Sequence, residues 1–329
     1  MRFRGIIFNL TYDCSLNCPH CFYYPQKRSR GVFTLSRLHE IVHSMSATAP
    51  VQELHFTGGE PFLHFDLLRD AIAMAKDIGA RRITCSTSCY WAKDVQTARA
   101  RFSELKAAGL DWFLISADAF HQDQVPLEYV KNAAQVRVEL GLQGNDDLSV
   151  VVMIDPDYEH PFNTRTREIV EQIRSWGHGA SMHNSMPYGR GHDLVPEAFC
   201  KMHRGKLKCW EFLNMSFVHP DGPRTIIMGP DENAMVCYGV SLGNLRDKPL
   251  PQLVREAEEN PNPIIKTLLE KGAEGLAARA VAKGWQRKEA YQNECHLCYC
   301  ARDYLRQYEP DFLQPNECYP SWTQLARSG

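Results

Sequence analysis

Gly5-Ile-Ile-Phe-Asn-Leu10, Thr34-Leu-Ser-Arg-Leu38-His-Glu-Ile41-Val42-His-Ser-Met45 and Glu53-Leu-His-Phe-Thr57 decide the architecture of this 329-residue chain. The first and third segments are short, apolar and β-favouring. The middle one repeats Leu35, Leu38, Ile41, Val42 and Met45 at three- and four-residue intervals behind a capping Thr34, and Pro50 ends it. Strand, helix, strand at this spacing predicts parallel neighbours joined by a right-handed crossover. The rhythm continues outward, with strands expected over Arg82–Ser86, Trp112–Ser116, Leu148–Ile154 and Ala180–Ser185. A second helix carries Leu68, Ala71, Ile72, Ala75 and Ile78 and stops at Gly79, and a third stops at Gly109. Six such units over residues 1–191 predict an α/β fold, a partial (β/α)6 TIM-like barrel. Its functional groups belong at the carboxyl ends of the strands.

After about Arg190 the rhythm changes. Turns at Pro220-Asp-Gly-Pro223 and Gly229-Pro-Asp231 bracket short β-like runs, and a helical stretch follows over Pro261–Lys283. Residues 192–329 hold seven of the twelve cysteines and read as a small cysteine-rich α+β domain organised around metal. Lys plus Arg (37) nearly cancels Asp plus Glu (39), so no bulk charge recruits nucleic acid. No apolar run reaches the roughly 18 residues that span a bilayer, and Gly5–Phe8 is too short for a signal-peptide core. The expected setting is cytoplasmic. There, clumped cysteines read as metal or iron-sulfur ligands before they read as disulfides.

Cys14-Ser-Leu-Asn-Cys18-Pro-His20-Cys21 is a C-x3-C-x2-C run directly after the first strand. Three thiolates hold three irons of a 4Fe-4S cluster and leave the fourth open; the alternative is a zinc knuckle with His20 as substitute ligand. Thr57-Gly58-Gly59-Glu60-Pro61 follows the second strand, where two glycines permit close backbone approach and Glu60 can accept from an ammonium group. Together these segments resemble the radical S-adenosylmethionine (radical SAM) enzymes, whose cysteine triad and GGEP motif they match. The resemblance implies that Gly58, Gly59, Glu60 and Pro61 order the amino end of S-adenosylmethionine, so that a side chain at Gly59 should weaken cofactor binding and leave the cluster assembled. Softer matches are Ser86-Thr87-Ser88, where relatives often have Thr-Asn-Gly, and the Ser-x-Asp of Ser116 and Asp118. Pro187-Tyr-Gly-Arg190-Gly191 resembles a sixth-strand exit, with Arg190 either serving the cofactor carboxylate or bracing the domain junction. By the same resemblance His20, Ser88, Ser116 and Asp118 border the cofactor. Cys85 and Cys89 read as packed thiols, His121 as a satisfied loop histidine or alternatively an acid or base near substrate, and Tyr90 and Trp91 as aromatic packing or a cavity border.

Cys209, Cys237, Cys295-x2-Cys298, Cys300 and Cys318 resemble the auxiliary-cluster extension of this superfamily, the SPASM domain or its shortened twitch form. Pro230–Cys237 followed by Gly243-Asn244 looks like its hairpin, although Glu232 stands where relatives usually carry glycine. Two fully ligated cubanes need eight thiolates and seven cysteines are present here, so at least one auxiliary iron-sulfur cluster is expected, on Cys209, Cys237, Cys295 and Cys298. Cys200, Cys300 and Cys318 are left as substitutes or as ligands of a second, incomplete cluster. Structural zinc on four of these thiolates is the alternative.

The resemblance implies reductive cleavage of S-adenosylmethionine to methionine and a 5'-deoxyadenosyl radical that takes hydrogen from substrate, with an external reductant such as flavodoxin or ferredoxin. The substrate is expected to be a peptide side chain undergoing oxidation or bond formation, or alternatively a small metabolite. A non-enzymatic iron-sulfur or zinc carrier is the third reading, and it would have no use for the Gly58–Pro61 loop. No nucleic-acid or membrane partner is expected.

Overall fold

The computed structural model describes residues 4–24, 31–142, 148–152, 159–194, 200–202 and 224–320. β1 (Gly5–Thr11) is the central strand, with Ile6, Phe8 and Leu10 buried. The chain returns through α1 (Leu35–Ser46), where Thr34 Oγ1 accepts from the Arg37 amide at 3.2 Å. Leu38, Ile41, Val42 and Met45 are its buried stripe, as their spacing predicts. β2 (Glu53–Gly58) then lies parallel to β1, from Gly5 opposite Glu53 to Asn9 opposite Thr57. A register shift between Asn9 and Thr11 sets Thr11 opposite Gly58, just where the functional loops leave the sheet.

The unit repeats through α2 (Phe65–Asp77), β3 (Arg82–Thr87), α3 (Val95–Ala108) and β4 (Trp112–Ile115), with every strand parallel to its neighbour. After α4 (Ala119–Gln122) and α5 (Leu127–Glu139) come β5 (Leu148–Val152), α6 (Pro161–Ser175) and β6 (Ala180–Asn184). All six expected strands are present, within one or two residues of their expected ends. Their pairing differs from a continuous ladder, because β5 and β6 form a parallel sheet of their own. The reason lies at β4. The Phe113 amide donates to Leu142 O at 3.2 Å and its carbonyl accepts from Arg137 Nη1 at 3.1 Å, so its backbone groups are satisfied without a strand beside them.

β7 (Lys201–Met202) is a short strand, and β8 (Thr225–Met228) pairs parallel with the free side of β1. β9 (Asn233–Cys237) and β10 (Val240–Asn244) extend this side as an antiparallel hairpin, giving the order β10-β9-β8-β1-β2-β3-β4. The segment after residue 191 thus covers an edge of β1 that would otherwise be exposed. α7 (Leu250–Glu259), α8 (Pro263–Ala282, bent at Gly272), β11 (Ala290–Tyr291, paired with β7) and α9 (Glu294–Leu305) follow. One buried apolar cluster runs from Phe8 and Phe56 through Ile227 and Met235 to Leu297 and Leu305. The turn expected at 220–223 lies outside the described residues. No helix among them is long and apolar enough to cross a membrane.

Candidate active site

Cys14, Cys18 and Cys21 sit on the loop leaving the carboxyl end of β1, and none is in a disulfide. Cys14 is exposed, Cys21 half-buried and Cys18 buried. The loop is tied from two sides. The Asn17 amide donates to Gln124 Oε1 at 2.7 Å, and the Arg190 amide donates to Cys21 O at 2.9 Å while its guanidinium reaches Asn17 Oδ1. Gly189 lies so near that a Cβ there would stand 2.2 Å from the Phe22 carbonyl. Burial pushes the Cys18 and Cys21 thiols up, with the Arg190 charge opposing it at both. Thiols held neutral in this way ionise when a cation arrives to offset the desolvation.

The Gly58–Pro61 turn is stitched to the same loop. Gly59 donates its amide to Thr11 O and Glu60 its amide to Asp13 O, both at 2.8 Å. A Cβ on Gly59 would lie 2.0 Å from Asp13 O, and one on Gly58 2.3 Å from Thr11 O. The glycines therefore serve the approach of this turn to the cysteine loop. A side chain at Gly59 would press on that loop as well as on a bound ligand. Pro61 opens a 3-10 turn over Pro61–His64, and Glu60 caps it. Glu60 Oε1 accepts from the Phe62 amide at 3.3 Å and Thr87 Oγ1 at 3.0 Å; Oε2 accepts from the Ser88 amide at 2.9 Å and Ser88 Oγ at 2.6 Å. Burial raises the Glu60 pKa against these four donors. Four donors fill the lone-pair positions of a carboxylate, so Glu60 acts first as the strut between the β2 and β3 loops. Thr87, passed over in the sequence reading, is half of that strut.

At the end of β4 the Ser116 amide donates to Thr87 O at 3.1 Å. Asp118 caps α4: Oδ1 takes the Phe120 and His121 amides at 2.9 and 3.1 Å, and Oδ2 lies 2.8 Å from His121 Nδ1. Burial works against the Asp118 charge, yet the pairing with His121 holds its pKa below the usual carboxylate range. His121 is accordingly a partnered histidine. His20 packs on Phe120 (4.5 Å) and His121 (4.9 Å), and burial with the His121 charge lowers it to about 4. Trp91 stacks on Phe62 at 4.1 Å and donates to Thr87, while Cys85 and Cys89 are fully buried, so these three are packing. Tyr90 is near enough to Glu60 and Cys14 for both charges to act on it, which places it at the border of the site.

Among the described residues two buried nitrogens here have no hydrogen-bond partner, Arg190 Nε and His20 Nδ1. A buried polar group left unpaired costs about 1–3 kcal/mol, and Arg190 Nε–H is a donor free to meet a bound acceptor. Three thiols on one loop with an orphaned guanidinium nitrogen beside them fit a sulfide-bridged iron cluster and an anionic ligand.

Residues 8–134 match the Radical SAM superfamily. The chain carries a radical SAM domain. That membership implies a 4Fe-4S cluster and S-adenosylmethionine. Over 129 residues the chain is 24% identical to YydG of Bacillus subtilis (strain 168), named for a part in peptide biosynthesis; the match covers 39% of this chain and 40% of that protein. Over 121 residues it is 30% identical to a GTP 3',8-cyclase of Synechococcus elongatus, covering 36% of this chain and 35% of that one. The chain thus spans about two fifths or less of the length of these curated relatives. Among solved structures, native anSMEcpe with bound AdoMet shares its fold at a TM-score of 0.53 and 14% identity, over 99% of this radical SAM chain and 99% of that one.

The remaining cysteines gather around α9. Cys237 ends β9, Cys295 and Cys298 lie in the first turns of α9, and Cys318 is buried in a 3-10 turn. Cys237 is close enough to act electrostatically on Cys295, Cys298 and Cys318. Cys209 lies outside the described residues. Glu232, where glycine was expected, adopts a left-handed φ of 65° and is held by the Arg37 guanidinium at 3.2 and 2.9 Å. Arg302 is fully buried beneath this group. Its Nη1 donates to Tyr238 O at 2.8 Å, its guanidinium lies 5.7 Å over the Tyr188 and Tyr299 rings, and no carboxylate pairs with it among the described residues. A buried cation costs several kcal/mol unless a negative charge meets it. A cavity of about 1080 Å³ between Asn244, Lys248, Asn262 and Asn316 is lined by none of these thiols. Donor chemistry, and not cavity size, marks the site.

Proposed function

We propose that the chain is a radical SAM enzyme that consumes S-adenosylmethionine and takes hydrogen from a peptide side chain, leading to oxidation or bond formation in peptide maturation. The observation that carries the chemistry is the convergence of Cys14, Cys18 and Cys21 with the Gly58–Pro61 turn and the unpartnered Arg190 Nε. Cys14, Cys18 and Cys21 hold three irons. When bound, the cluster supplies the electron that cleaves the cofactor. Thr87 and Ser88 lock Glu60 and with it the backbone that meets the amino end of S-adenosylmethionine. Arg190 offers Nε to an anionic acceptor, and neutral His20 closes the loop against Phe120. Residues 1–191 form the radical-generating unit. Residues 192–329 form the auxiliary one, with Cys209, Cys237, Cys295 and Cys298 as cluster ligands and Arg302 as their counter-charge.

Similarity to YydG supports a peptide substrate. Similarity to the GTP 3',8-cyclase favours a second reading, a small-molecule substrate. Anaerobic incubation with S-adenosylmethionine, dithionite and deuterated candidate substrates, followed by mass spectrometry, tests both. One 5'-deoxyadenosine per product, carrying deuterium irreversibly, is expected. Turnover without cofactor consumption, with deuterium returning to product, would reject the reaction class. A Cys14, Cys18, Cys21 triple Ala variant that still forms 5'-deoxyadenosine would reject the site.

A further inference from the structure

Cys300 stands apart from the other thiols of α9. On a helix turning about 100° per residue, Cys295 and Cys298 share one face, whereas His296 and Cys300, four apart, share another. On that second face Cys300 Sγ lies 3.4 Å from Nε2 of His192, which is carried by the 3-10 turn Gly189–Leu194. One donor atom from each of His192, His296 and Cys300 falls within 4.8 Å of the others. His192 Nδ1 lies 3.3 Å from Asp193 Oδ1, the arrangement in which a carboxylate orients a ligating imidazole and leaves the opposite nitrogen as the donor.

The spacing admits a single metal ion. With Zn–S of about 2.3 Å and Zn–N of about 2.05 Å at the tetrahedral angle, the ligand atoms of one zinc ion stand about 3.6 Å apart. The Cys300–His192 separation of 3.4 Å is that edge. A two-iron cluster with mixed ligands puts histidines on one iron and cysteines on the other, which would hold this nitrogen and sulfur farther apart. These three donors leave the fourth position of a tetrahedral ion open. The β7–β11 ladder, with Lys201 opposite Tyr291, brings Cys200 to the entrance to α9 without placing its sulfur in that trio. The Gln292 amide donates to His296 Nδ1 at 3.2 Å. Ligation displaces that contact through either nitrogen, Nδ1 by becoming the donor atom and Nε2 by moving the ring proton to Nδ1.

We infer that His192, His296 and Cys300 hold a mononuclear zinc ion, separate from the iron sites. Its position gives it a structural role. The turn bearing His192 also bears Arg190, whose amide holds the cysteine loop at Cys21 O, and α9 bears Cys295 and Cys298. A zinc ion here clamps the two iron-binding regions together.

The test is metal analysis of the full chain purified anaerobically with its iron. About one zinc per chain is expected, lost in Cys300→Ser and His296→Ala while iron content stays at the wild-type value. His296 is buried, so His192→Ala, at a side chain 28% exposed, is the second variant, with folding checked by circular dichroism. Chelator competition should show zinc held at least tenfold more weakly in His192→Ala, and Asp193→Asn should weaken it by about tenfold. Absence of zinc from wild type that also fails to bind added Zn2+, or zinc unchanged in His192→Ala, overturns the proposal. So does iron falling together with zinc in Cys300→Ser, since the residues would then belong to the auxiliary cluster.

Discussion

Gly59→Ala puts a methyl carbon 2.0 Å from the Asp13 carbonyl oxygen, 2.5 Å from its carbon and 2.9 Å from Tyr12 O. Carbon and oxygen in contact stand roughly 3.3 Å apart, and every atom met is backbone, so the turn and the cysteine loop must separate by about 1 Å. That breaks the 2.8 Å bonds from Gly59 to Thr11 and from Glu60 to Asp13. Two backbone bonds at about 1 kcal/mol each, plus the desolvation penalty of whatever stays buried and unpaired, come to about 2–5 kcal/mol. A tenfold change corresponds to about 1.4 kcal/mol, so the closed arrangement of the loop loses a factor of about 30 or more. Iron analysis and electron paramagnetic resonance of the reduced protein should show the N-terminal cluster lost, and 5'-deoxyadenosine formation should fall with it. Gly79→Ala is the control: no atom lies within 4 Å of its Cβ, and only the φ of 87° is unfavourable. It should cost roughly 1–2 kcal/mol of stability and keep the cluster. Wild-type iron content and wild-type 5'-deoxyadenosine formation in Gly59→Ala would refute the reasoning.

Ser88→Ala removes a 2.6 Å bond to the buried Glu60 carboxylate. We expect a loss of about 1.5–3 kcal/mol in urea melts and weaker S-adenosylmethionine binding by calorimetry; two unchanged readings would remove Glu60 from its role as strut. His55, bonded to Thr84 and Ser86, is lowered to about 4 by burial and the Arg82 charge. The unfolded chain protonates it near 6.5 while the folded chain stays neutral, so stability falls as pH drops from 6.5 towards 4, by up to about 2 kcal/mol between 6.5 and 5. His55→Asn should flatten that slope in denaturant melts, and an unaltered slope would contradict it. Arg302→Met removes the buried cation near Cys237 and Cys298. It should lower auxiliary iron content or shift that cluster's potential downward, whereas in an iron-free chain the same change should stabilise; an unaltered potential with full iron would sink the counter-charge assignment. The Cys14, Cys18, Cys21 triple Ala variant should retain iron with the Mössbauer signature of a cubane, and zinc without iron there would reject an auxiliary iron-sulfur cluster.

Read alone, the sequence was enough to locate the first six strands, the Thr34 cap, the helix stops at Gly79 and Gly109, and the cysteine triad at the end of β1. Each of these is a short-range property: periodicity, a capping hydroxyl or a left-handed glycine is decided by residues a few positions apart. The placement of Glu60 beside the triad was legible for the same reason, as the next loop of a repeating unit. Tertiary structure alone decided what each group touches. Thr87 and Ser88 meet Glu60 across 27 and 28 residues, Arg190 reaches Asn17 across 173, and Cys300 meets His192 across 108. The pairing of β8 with β1, the capped edge of β4 and the burial of Arg302 are likewise products of packing. Such contacts are chosen by which surfaces exclude water together and which polar groups must then find partners. No local pattern encodes that choice, because the residues it joins are neighbours only once the sheet has formed.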